Sequence, residues 1–158
     1  MGSADSNRVT VYISGVWDLF HIGHLNVIKW AKDLGDFLVV GVVTDEFAAE
    51  YKGRRPVIPF KDRYAIVQAI RYVDAAVTVT SFDLPPSKYG VTIRAHGPEY
   101  GKHAGQKIVI AALEKMGVKK ALLPRTEGIS TTIIRERMRD EENCACCDTD
   151  ASPDSLPD

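Results

Sequence analysis

The sequence predicts an α/β fold built on one doubly wound parallel sheet, and three observations support that prediction. Short β-branched runs alternate with longer amphipathic segments through most of the 158 residues. The run FLVVGVV at 37–43 is apolar throughout, as strands buried on both faces of a parallel sheet are. Parallel neighbours need crossover connections, and the helical segments between the strands supply them.

The predicted elements follow one another as strand, helix, strand. Residues 8–14 alternate apolar and polar side chains, which predicts a strand that ends at Gly15. Residues 24–34 place apolar side chains at helical spacing, and Gly35 suits a helix C-terminus. Residues 50–59 are charged and contain two prolines, so we expect a loop there. The other predictions are strands at 37–43, 75–79, 91–95 and 119–123 and helices at 61–73, 105–116 and 131–139.

Length and composition predict one domain. The chain is 45% hydrophobic, which is enough for a substantial core. No apolar run approaches the roughly 20 residues that cross a bilayer, and the N-terminus lacks the apolar core of a secretion signal. We therefore expect a soluble cytoplasmic protein with a flexible N-terminus at 1–8, a domain at 9–139 and a tail at 140–158.

The tail differs in composition from the domain. It holds seven of the 21 acidic residues and none of the 20 Lys and Arg residues, so the domain itself is basic. A basic domain suits a phosphorylated ligand, a nucleic acid or a merely solvated surface, and the charge alone does not separate them. Cys144, Cys146 and Cys147 all lie in the tail, where we expect disorder and reduced thiols, with redox or intermolecular chemistry as the alternative.

Two histidines mark the junction between the first strand and the first helix. His21 and His24 are three residues apart and therefore project onto one face of the first helical turn. Gly15 and Gly23 let the backbone approach a ligand, and the free N–H groups of a helix N-terminus attract an anion. The imidazoles are placed to donate hydrogen bonds to phosphoryl oxygens, an electrostatic role that needs no protein nucleophile.

A second anion cradle is predicted at RTEGISTT, residues 125–132. Ser130 and Thr131 stand at a predicted helix start, and Arg125 adds a planar cation that suits phosphate oxygens. Helix capping explains the hydroxyls equally well when they are taken alone. Two such cradles at one edge of a sheet favour a phosphate ligand. The cations of the loop at 52–55 are either solvated or cover a polyphosphate.

Four stretches in order, GVWDLFHIGH, LGDFLVVGVVTDEF, KDRYAIVQAIRYVD and LPRTEGISTT, resemble the cytidylyltransferase family of the HxGH nucleotidyltransferase superfamily. The likeness covers roughly residues 9–139 and is nearest to glycerol-3-phosphate cytidylyltransferases, followed by those for ethanolamine phosphate and choline phosphate. It implies a Rossmann-like fold, a homodimer, and transfer of a cytidylyl group from CTP to a phosphorylated alcohol such as glycerol 3-phosphate. It also implies release of pyrophosphate and a divalent cation such as Mg²⁺.

The resemblance also implies roles for individual residues. His21, His24, Lys52 and Arg125 would be catalytic, and Lys52 and Arg71 would bind the acceptor. No protein ligand for a metal is implied. The nucleotide-binding residues implied by the resemblance are Gly15, Val16, Trp17, Asp18, His21, His24, Gly97, Glu99, Arg125, Thr126, Ile129, Ser130 and Thr131.

One stretch departs from the family pattern. Members commonly show a glycine followed by one or two aspartates after the fourth strand, where this chain has Gly97, Pro98 and Glu99. Glu99 is able to take over the carboxylate role, whereas Pro98 removes a backbone donor. The choice of base and of acceptor is therefore open at this point. Lys102 and His103 are either acceptor contacts or part of an exposed loop.

Several alternatives remain. Within the superfamily, an adenylyltransferase that uses ATP, such as an FAD synthetase, shares the HxGH motif, and the acceptor is equally a phosphoethanolamine, a phosphocholine or a phosphonate. A non-catalytic nucleotide-binding module would not need both histidines. A tRNA synthetase fragment lacks room for an anticodon-binding region. Many basic residues fall inside the ligand motifs, so we expect neither a nucleic-acid nor a membrane partner.

Overall fold

The computed structural model describes residues 8–82 and 84–142, with the side chains of the last two left out of the account. The described residues form five strands and five α-helices. The five strands and four of the helices lie at or near their predicted positions. The strands are β1 (Thr10–Gly15), β2 (Phe37–Val43), β3 (Ala75–Val79), β4 (Ile93–His96) and β5 (Lys119–Leu122). The helices are α1 (Ile22–Lys32), α2 (Asp45–Lys52), α3 (Phe60–Gln68), α4 (Ala104–Lys115) and α5 (Thr131–Glu142). A 3₁₀ turn, Ser87–Tyr89, connects β3 to β4.

All five strands are parallel and lie in the order β3-β2-β1-β4-β5. From β1 the chain moves outward to β3 and then returns to the other side of β1, so the order reverses between β1 and β4. Tyr12 of β1 is the register partner of both Val39 in β2 and Arg94 in β4. Doubly wound sheets bind ligands in the crevice at such a reversal, beyond the carboxyl ends of the strands. The predicted Rossmann-like α/β fold is confirmed.

Helices cover both faces of the sheet. On one face, Ile28 of α1 and Val67 of α3 are fully buried against Val11 and Ile13 of β1. On the other face, Val109 and Leu113 of α4 form a smaller cluster with Val118. Full burial of one such side chain contributes about 1.5–3 kcal/mol. The core thus fixes the strands whose ends carry the functional side chains.

One helix was not predicted. Residues 45–52 form α2, where the charged sequence favours a loop from residue 50 onward. The Thr44 hydroxyl accepts a hydrogen bond from the Phe47 backbone N–H, Asp45 and Glu46 lie in the first turn, and Gly53 ends the helix at φ 70°. These are recognised start and stop signals. The prediction of a loop was wrong for residues 50–52, which are the last three residues of α2.

Other element ends differ from the predictions. Helix α3 ends at Gln68, where the prediction extended to residue 73, and β4 begins at Ile93, where the prediction began at residue 91. Helix α1 ends at Lys32, and Gly35 does not adopt a left-handed conformation. A Cβ atom at Gly35 would lie 2.7 Å from the carbonyl oxygen of Val9, so this glycine permits close approach to the start of β1. Helix α5 continues to Glu142, beyond its predicted end at residue 139. Most of the predicted N-terminal arm and tail, including the three cysteines, lies outside the described residues.

Candidate active site

A cavity of about 720 Å³ lies at the carboxyl ends of β1, β4 and β5. The structure brings fourteen of the fifteen predicted site residues to its wall, and Arg71 is the exception. Arg71 is exposed in the turn between α3 and β3, and therefore precedes the amino end of β3. The residues that line the cavity are Gly15, Val16, Trp17, Asp18, His21, His24, Lys52, Gly97, Glu99, Arg125, Thr126, Ile129, Ser130 and Thr131, together with side chains that were not assigned from the sequence.

The turn between β1 and α1 has a strained backbone. Trp17 and Leu19 adopt positive φ angles of 58° and 47°, in the left-handed region that side chains other than glycine rarely occupy. Such strain costs on the order of 1–3 kcal/mol for each residue and persists only where surrounding contacts enforce it. The buried Trp17 indole provides one such contact, since it donates a hydrogen bond of 2.9 Å to the Gly41 carbonyl.

Asp18 holds three segments of the cavity wall together. Its carboxylate accepts hydrogen bonds from the backbone N–H groups of Val57 and Ile58, at 2.9–3.0 Å, and pairs with Arg135 at 2.6 Å. Burial by itself raises the pKa of Asp18, but these bonds and the Arg135 charge outweigh it and lower that pKa. The Asp18 side chain therefore positions the cavity wall. This places Asp18 within the predicted nucleotide site in a supporting role.

His21 caps the N-terminus of α1. Its Nδ1 accepts a hydrogen bond of 3.0 Å from the Gly23 backbone N–H. A Cβ atom at Gly23 would lie 2.8 Å from the His21 ring, so only glycine leaves room for this cap. Burial lowers the pKa of His21 and favours the neutral ring. Because Nδ1 accepts, the proton of the neutral ring is on Nε2, where it is available to a ligand.

His24 lies against His21, with their ring centroids 3.9 Å apart in a stacked arrangement. Trp17 and Phe20 also contact the His24 ring, and its Nδ1 is buried with no hydrogen-bond partner among the described residues. Burial, reinforced by the charges of His21 and Lys52, lowers the pKa of His24 to about 3, against an opposing effect of Asp18. The pair thus presents neutral imidazoles to the cavity.

The second cradle forms at the start of α5, next to the first. The Ser130 hydroxyl accepts a hydrogen bond from the Ile133 backbone N–H, and the Thr131 hydroxyl donates one to the Asp18 carbonyl. Asn26 of α1 donates to the Thr126 hydroxyl at 3.1 Å, which ties the loop before α5 to α1. Arg125 is exposed on the cavity wall. The N-termini of α1 and α5 therefore border one space.

Cations from α2 and the following loop also contribute to the cavity wall. Lys52, Arg54 and Arg55 all line the cavity. Desolvation and the neighbouring Arg54 charge lower the pKa of Lys52, and Asp18 acts in the opposite direction. The cations of residues 52–55 therefore line the cavity, as they must if they are to cover a polyphosphate.

Residues 97–99, which depart from the family pattern, also line the cavity. Glu99 forms an exposed ion pair with Lys102, and this contact lowers the pKa of Glu99. His103 caps α4, because its Nδ1 accepts a hydrogen bond of 3.2 Å from the Gly105 N–H. All three side chains line the cavity.

Two arginines acquire roles that sequence reasoning missed. Arg135, to which the sequence assigned no role in the site, binds Asp18, and its spacing of four residues from Thr131 places both on one helix face. Arg63 is fully buried and donates to the carbonyls of Val16 and Ile58, besides its ion pair with Asp45 at 2.6 Å. No local pattern distinguishes a buried arginine from an exposed one.

An α/β sheet with two helix N-termini, stacked histidines and clustered cations at its switch point defines a phosphate-handling nucleotide-binding protein. Comparison with known proteins gives the family. Residues 12–137 match the model of the Cytidylyltransferase-like family, so the chain belongs to that family. The family that the sequence motifs indicated is confirmed.

Named relatives include cytidylyltransferases for two acceptors. The chain is 37% identical over 139 residues to ethanolamine-phosphate cytidylyltransferase of Dictyostelium discoideum, and this match covers 86% of the chain and 38% of the relative. It is 36% identical over 142 residues to choline-phosphate cytidylyltransferase A of Rattus norvegicus, with 87% and 38% covered. An FAD synthase of Pyrococcus abyssi is 46% identical over 74 residues, with 47% and 50% covered. The chain thus spans about two fifths of the cytidylyltransferases and half of the FAD synthase.

Solved structures support the fold. The lipopolysaccharide core biosynthesis protein from Thermoplasma volcanium superposes with a TM-score of 0.59 at 26% identity, over 75% of this chain and 97% of that one. Thermotoga maritima TmcAL, solved with alpha-thio ATP, gives a TM-score of 0.59 at 15% identity, over 85% of this chain and 51% of that one. The second likeness concerns the fold alone. Within the described residues, no helix is long and apolar enough to cross a membrane.

Proposed function

We propose that this protein transfers the cytidylyl group of CTP to the phosphate of a small phosphorylated alcohol, yielding a CDP-alcohol and pyrophosphate. The observation that carries the proposal is the stacked pair of neutral histidines at the N-terminus of α1, beside the N-terminus of α5. Such an arrangement supports a triphosphate through fixed donors. The family match and the named cytidylyltransferases agree with it.

The chemistry needs positioning more than acid–base catalysis. An oxygen of the acceptor phosphate forms a bond to the α-phosphorus of CTP. The bond from that phosphorus to the oxygen that bridges to the β-phosphorus breaks, and pyrophosphate leaves with the electron pair. Phosphate oxygens are already nucleophilic at neutral pH, so alignment and neutralisation of charge supply most of the rate. The N–H of His21 Nε2 and the cations of the cavity wall are placed for that neutralisation.

The relatives support phosphoethanolamine as the acceptor better than glycerol 3-phosphate, which the sequence motifs placed first. Ethanolamine-phosphate cytidylyltransferases from Dictyostelium discoideum and Mus musculus match more than four fifths of the chain, at 37% and 35% identity. Those names belong to longer proteins, and the acceptor is therefore part of the proposal.

A divalent cation and a homodimer also belong to the proposal. In the part of the chain that the structure describes, no group of three or more His, Cys, Asp or Glu side chains is arranged to hold a metal ion. Mg²⁺ commonly binds through substrate phosphates with few protein ligands, so we expect it to enter with CTP and to neutralise phosphate charge. Sedimentation velocity at several protein concentrations tests the dimer.

ATP is the second candidate donor. The FAD synthase of Pyrococcus abyssi reaches 46% identity, a higher value than the cytidylyltransferases, although over 74 residues only. Pro98 and Glu99 on the cavity wall are the first positions to examine if ATP is used.

Pyrophosphate release tests both candidates. The purified protein would be supplied with Mg²⁺, CTP or ATP, and phosphoethanolamine, phosphocholine, glycerol 3-phosphate or 2-aminoethylphosphonate. We expect turnover with CTP that His21→Ala abolishes, while Arg8→Met, remote from the cavity, retains it. Turnover with ATP alone would reverse the donor assignment. Binding of CTP with no release in any combination would favour a non-catalytic nucleotide-binding module.

A further inference from the structure

Arg94 is a buried cation that the proposed chemistry does not use. It lies in β4 beside β1, at the switch point of the sheet, and is 2% exposed. Its guanidinium carbon is 4.7 Å from the ring centroid of Tyr12 and 4.6 Å from that of Tyr100. The planar group is thus held by two aromatic rings.

The hydrogen bonds of Arg94 leave its charge uncompensated. One terminal nitrogen donates to the Ser14 hydroxyl at 2.8 Å, and the other has long contacts of 3.3 and 3.4 Å with the carbonyls of Tyr12 and Ala95. Its Nε has no hydrogen-bond partner, and among the described residues no carboxylate pairs with it. The equally buried Arg63 pairs with Asp45. A buried charge without an anion is costly, so the site is suited to receive one.

A small cavity gives a ligand access to Arg94. It has a volume of about 60 Å³, roughly the space of two waters, which is the scale of a carboxylate. It adjoins the main cavity, because Ser14, Tyr51 and Tyr100 line both. Phe82 and Val109 complete its apolar wall. Arg94 thus lines a recess that adjoins the proposed reaction site.

The recess and the two helix N-termini adjoin one cavity. His21 and Ser130 line the main cavity, and Tyr51 of α2 and Gln106 of α4 line both the main cavity and the recess. If the helix N-termini hold the triphosphate, as proposed, in-line displacement brings the acceptor to the α-phosphorus from the side away from the departing pyrophosphate. We take that side to be the one where Tyr51 and Gln106 adjoin the recess.

The charges of the cavity wall favour an anionic group over the bare ammonium of phosphoethanolamine. On this point the inference departs from the acceptor that the relatives support. Lys52, Arg54 and Arg55 face the cavity, whereas its two carboxylates are already engaged, Asp18 with Arg135 and Glu99 with Lys102. No free carboxylate of the described wall remains to receive a cation. An anion would instead meet a favourable field.

We infer that Arg94 binds a carboxylate carried by the acceptor at the end remote from its phosphate. The inference deepens the proposed function and rests on it, because it concerns the acceptor of the same transfer. The acceptor class is then a phosphorylated alcohol that bears a carboxylate. Arg94 takes no part in bond making; it is a specificity-determining residue, and the acceptor phosphate remains the nucleophile.

Matched acceptors that differ by a carboxylate test the inference. O-phosphoserine is phosphoethanolamine with an added carboxylate, and 3-phosphoglycerate carries a carboxylate where glycerol 3-phosphate has a hydroxymethyl group. For the unmodified protein with CTP and Mg²⁺, we expect kcat/KM for the carboxylated member of at least one pair to exceed that of its partner tenfold or more. Hydrogen bonds to charged groups have effects of this size. Equal or lower values in both pairs would overturn the inference and leave cytidylyl transfer intact.

Variants separate specificity from folding. Arg94→Met keeps much of the side-chain volume and should erase the tenfold preference through KM for the carboxylated acceptor, with the affinity for CTP unchanged. Arg94→Lys keeps the charge and should retain part of the preference. Arg8→Met removes a cation that stacks on Phe37, far from the recess, and should leave the preference as it is. A preference that survives in a folded Arg94→Met protein would refute the role of Arg94.

Calorimetry keeps the two proposals distinguishable. If pyrophosphate is released with none of the acceptors, the proposed transfer fails. Titration of each acceptor separately into the protein with CTP then still gives dissociation constants that can be compared within each pair. Tighter binding of a carboxylated member, lost in Arg94→Met, would support the inference. Equal binding within both pairs, or no binding of any acceptor, would count against it.

Discussion

Helices α1 and α4 begin in the same way and differ in what surrounds them. HIGH at residues 21–24 and HAGQ at residues 103–106 each place a histidine at the N-cap, where its Nδ1 accepts from the glycine two residues later. In α1 the fourth residue is a histidine that stacks on the first and is mostly shielded from solvent. In α4 it is Gln106, whose side chain completes a capping box, and His103 remains exposed.

The comparison shows that the same local N-cap arrangement of a histidine occurs in two different surroundings. Around His103, the capping box satisfies the free N–H groups of the helix and the ring packs on Phe82. Around His21, a neighbouring helix N-terminus and several cations line the same cavity. In the proposed function it is the long-range setting that makes the first cap a phosphate site, and the following predictions test that distinction in order of decreasing effect.

Removal of either histidine of α1 should have the largest effect. Loss of one positioned donor typically lowers the rate by on the order of 10²–10³. We therefore expect His21→Ala and His24→Ala each to lower kcat for CTP turnover by at least that factor, with circular dichroism spectra that match the unmodified protein. A folded His21→Ala protein with nearly full activity would remove the distinction between the two caps.

Gly23→Ala should lower kcat/KM by up to about 10²-fold, as misplacement of a catalytic group by about 1 Å does. The added Cβ would lie 2.8 Å from the His21 ring and 3.3 Å from Ile129, so the cap must shift. Steady-state assays beside thermal unfolding separate misplacement from unfolding. A variant with unchanged kinetics would show that the cap geometry is unimportant.

The pH dependence of stability should reflect His24. Its pKa of about 3 lies below the ordinary histidine value near 6.5, so the native state binds fewer protons than the unfolded chain between these pH values. The contribution of His24 to the free energy of unfolding is therefore complete above pH 6.5. It is lost as the pH falls toward 3, by at most about 1.4 kcal/mol per pH unit. Urea unfolding at pH 7.5, 6 and 5 measures it. His24→Gln should flatten the slope, and an unchanged slope would assign the effect elsewhere.

His103→Ala should have the smallest effect on turnover. Loss of an N-cap costs about 0.5–2 kcal/mol of stability, here for α4, while kcat with CTP should stay within about threefold. Chemical denaturation and the pyrophosphate assay measure the two quantities. A loss of turnover comparable to that of His21→Ala would place His103 in the chemistry and make the two caps equivalent.

The sequence predicts most of the sheet and the nucleotide side of the site because both depend on local patterns. Strand β2 is a continuous apolar run, and His21 and Ser130 stand where a strand gives way to a helix. Helix α2 was missed because its charged composition favours a loop, although Thr44 and Gly53 supply the end signals. A charged segment is usually expected to be solvated, whereas this segment forms part of the cavity wall.

The acceptor side was not predictable because it depends on contacts between distant segments. Arg94 and Arg63 are charged residues in apolar surroundings. Only the folded chain shows that Arg63 has a carboxylate partner and that Arg94 has none among the residues that the structure describes. Arg71 was placed at the acceptor from its sequence motif, and the structure leaves it exposed and outside the cavity. The family motifs therefore predicted the residues of the proposed nucleotide site more accurately than those of the acceptor site.

The ion pair between Asp18 and Arg135 also bears on the order of assembly. Its two residues are 117 positions apart, and the carboxylate supports the loop at 57–58 in the same bond network. During synthesis, the histidine turn leaves the ribosome early, but the cavity wall is incomplete until α5 has emerged and docked. A nascent chain that still lacks Arg135 lacks this part of the wall and, on the proposed function, should not retain CTP. On the same proposal, amide exchange in α5 should slow when the nucleotide binds.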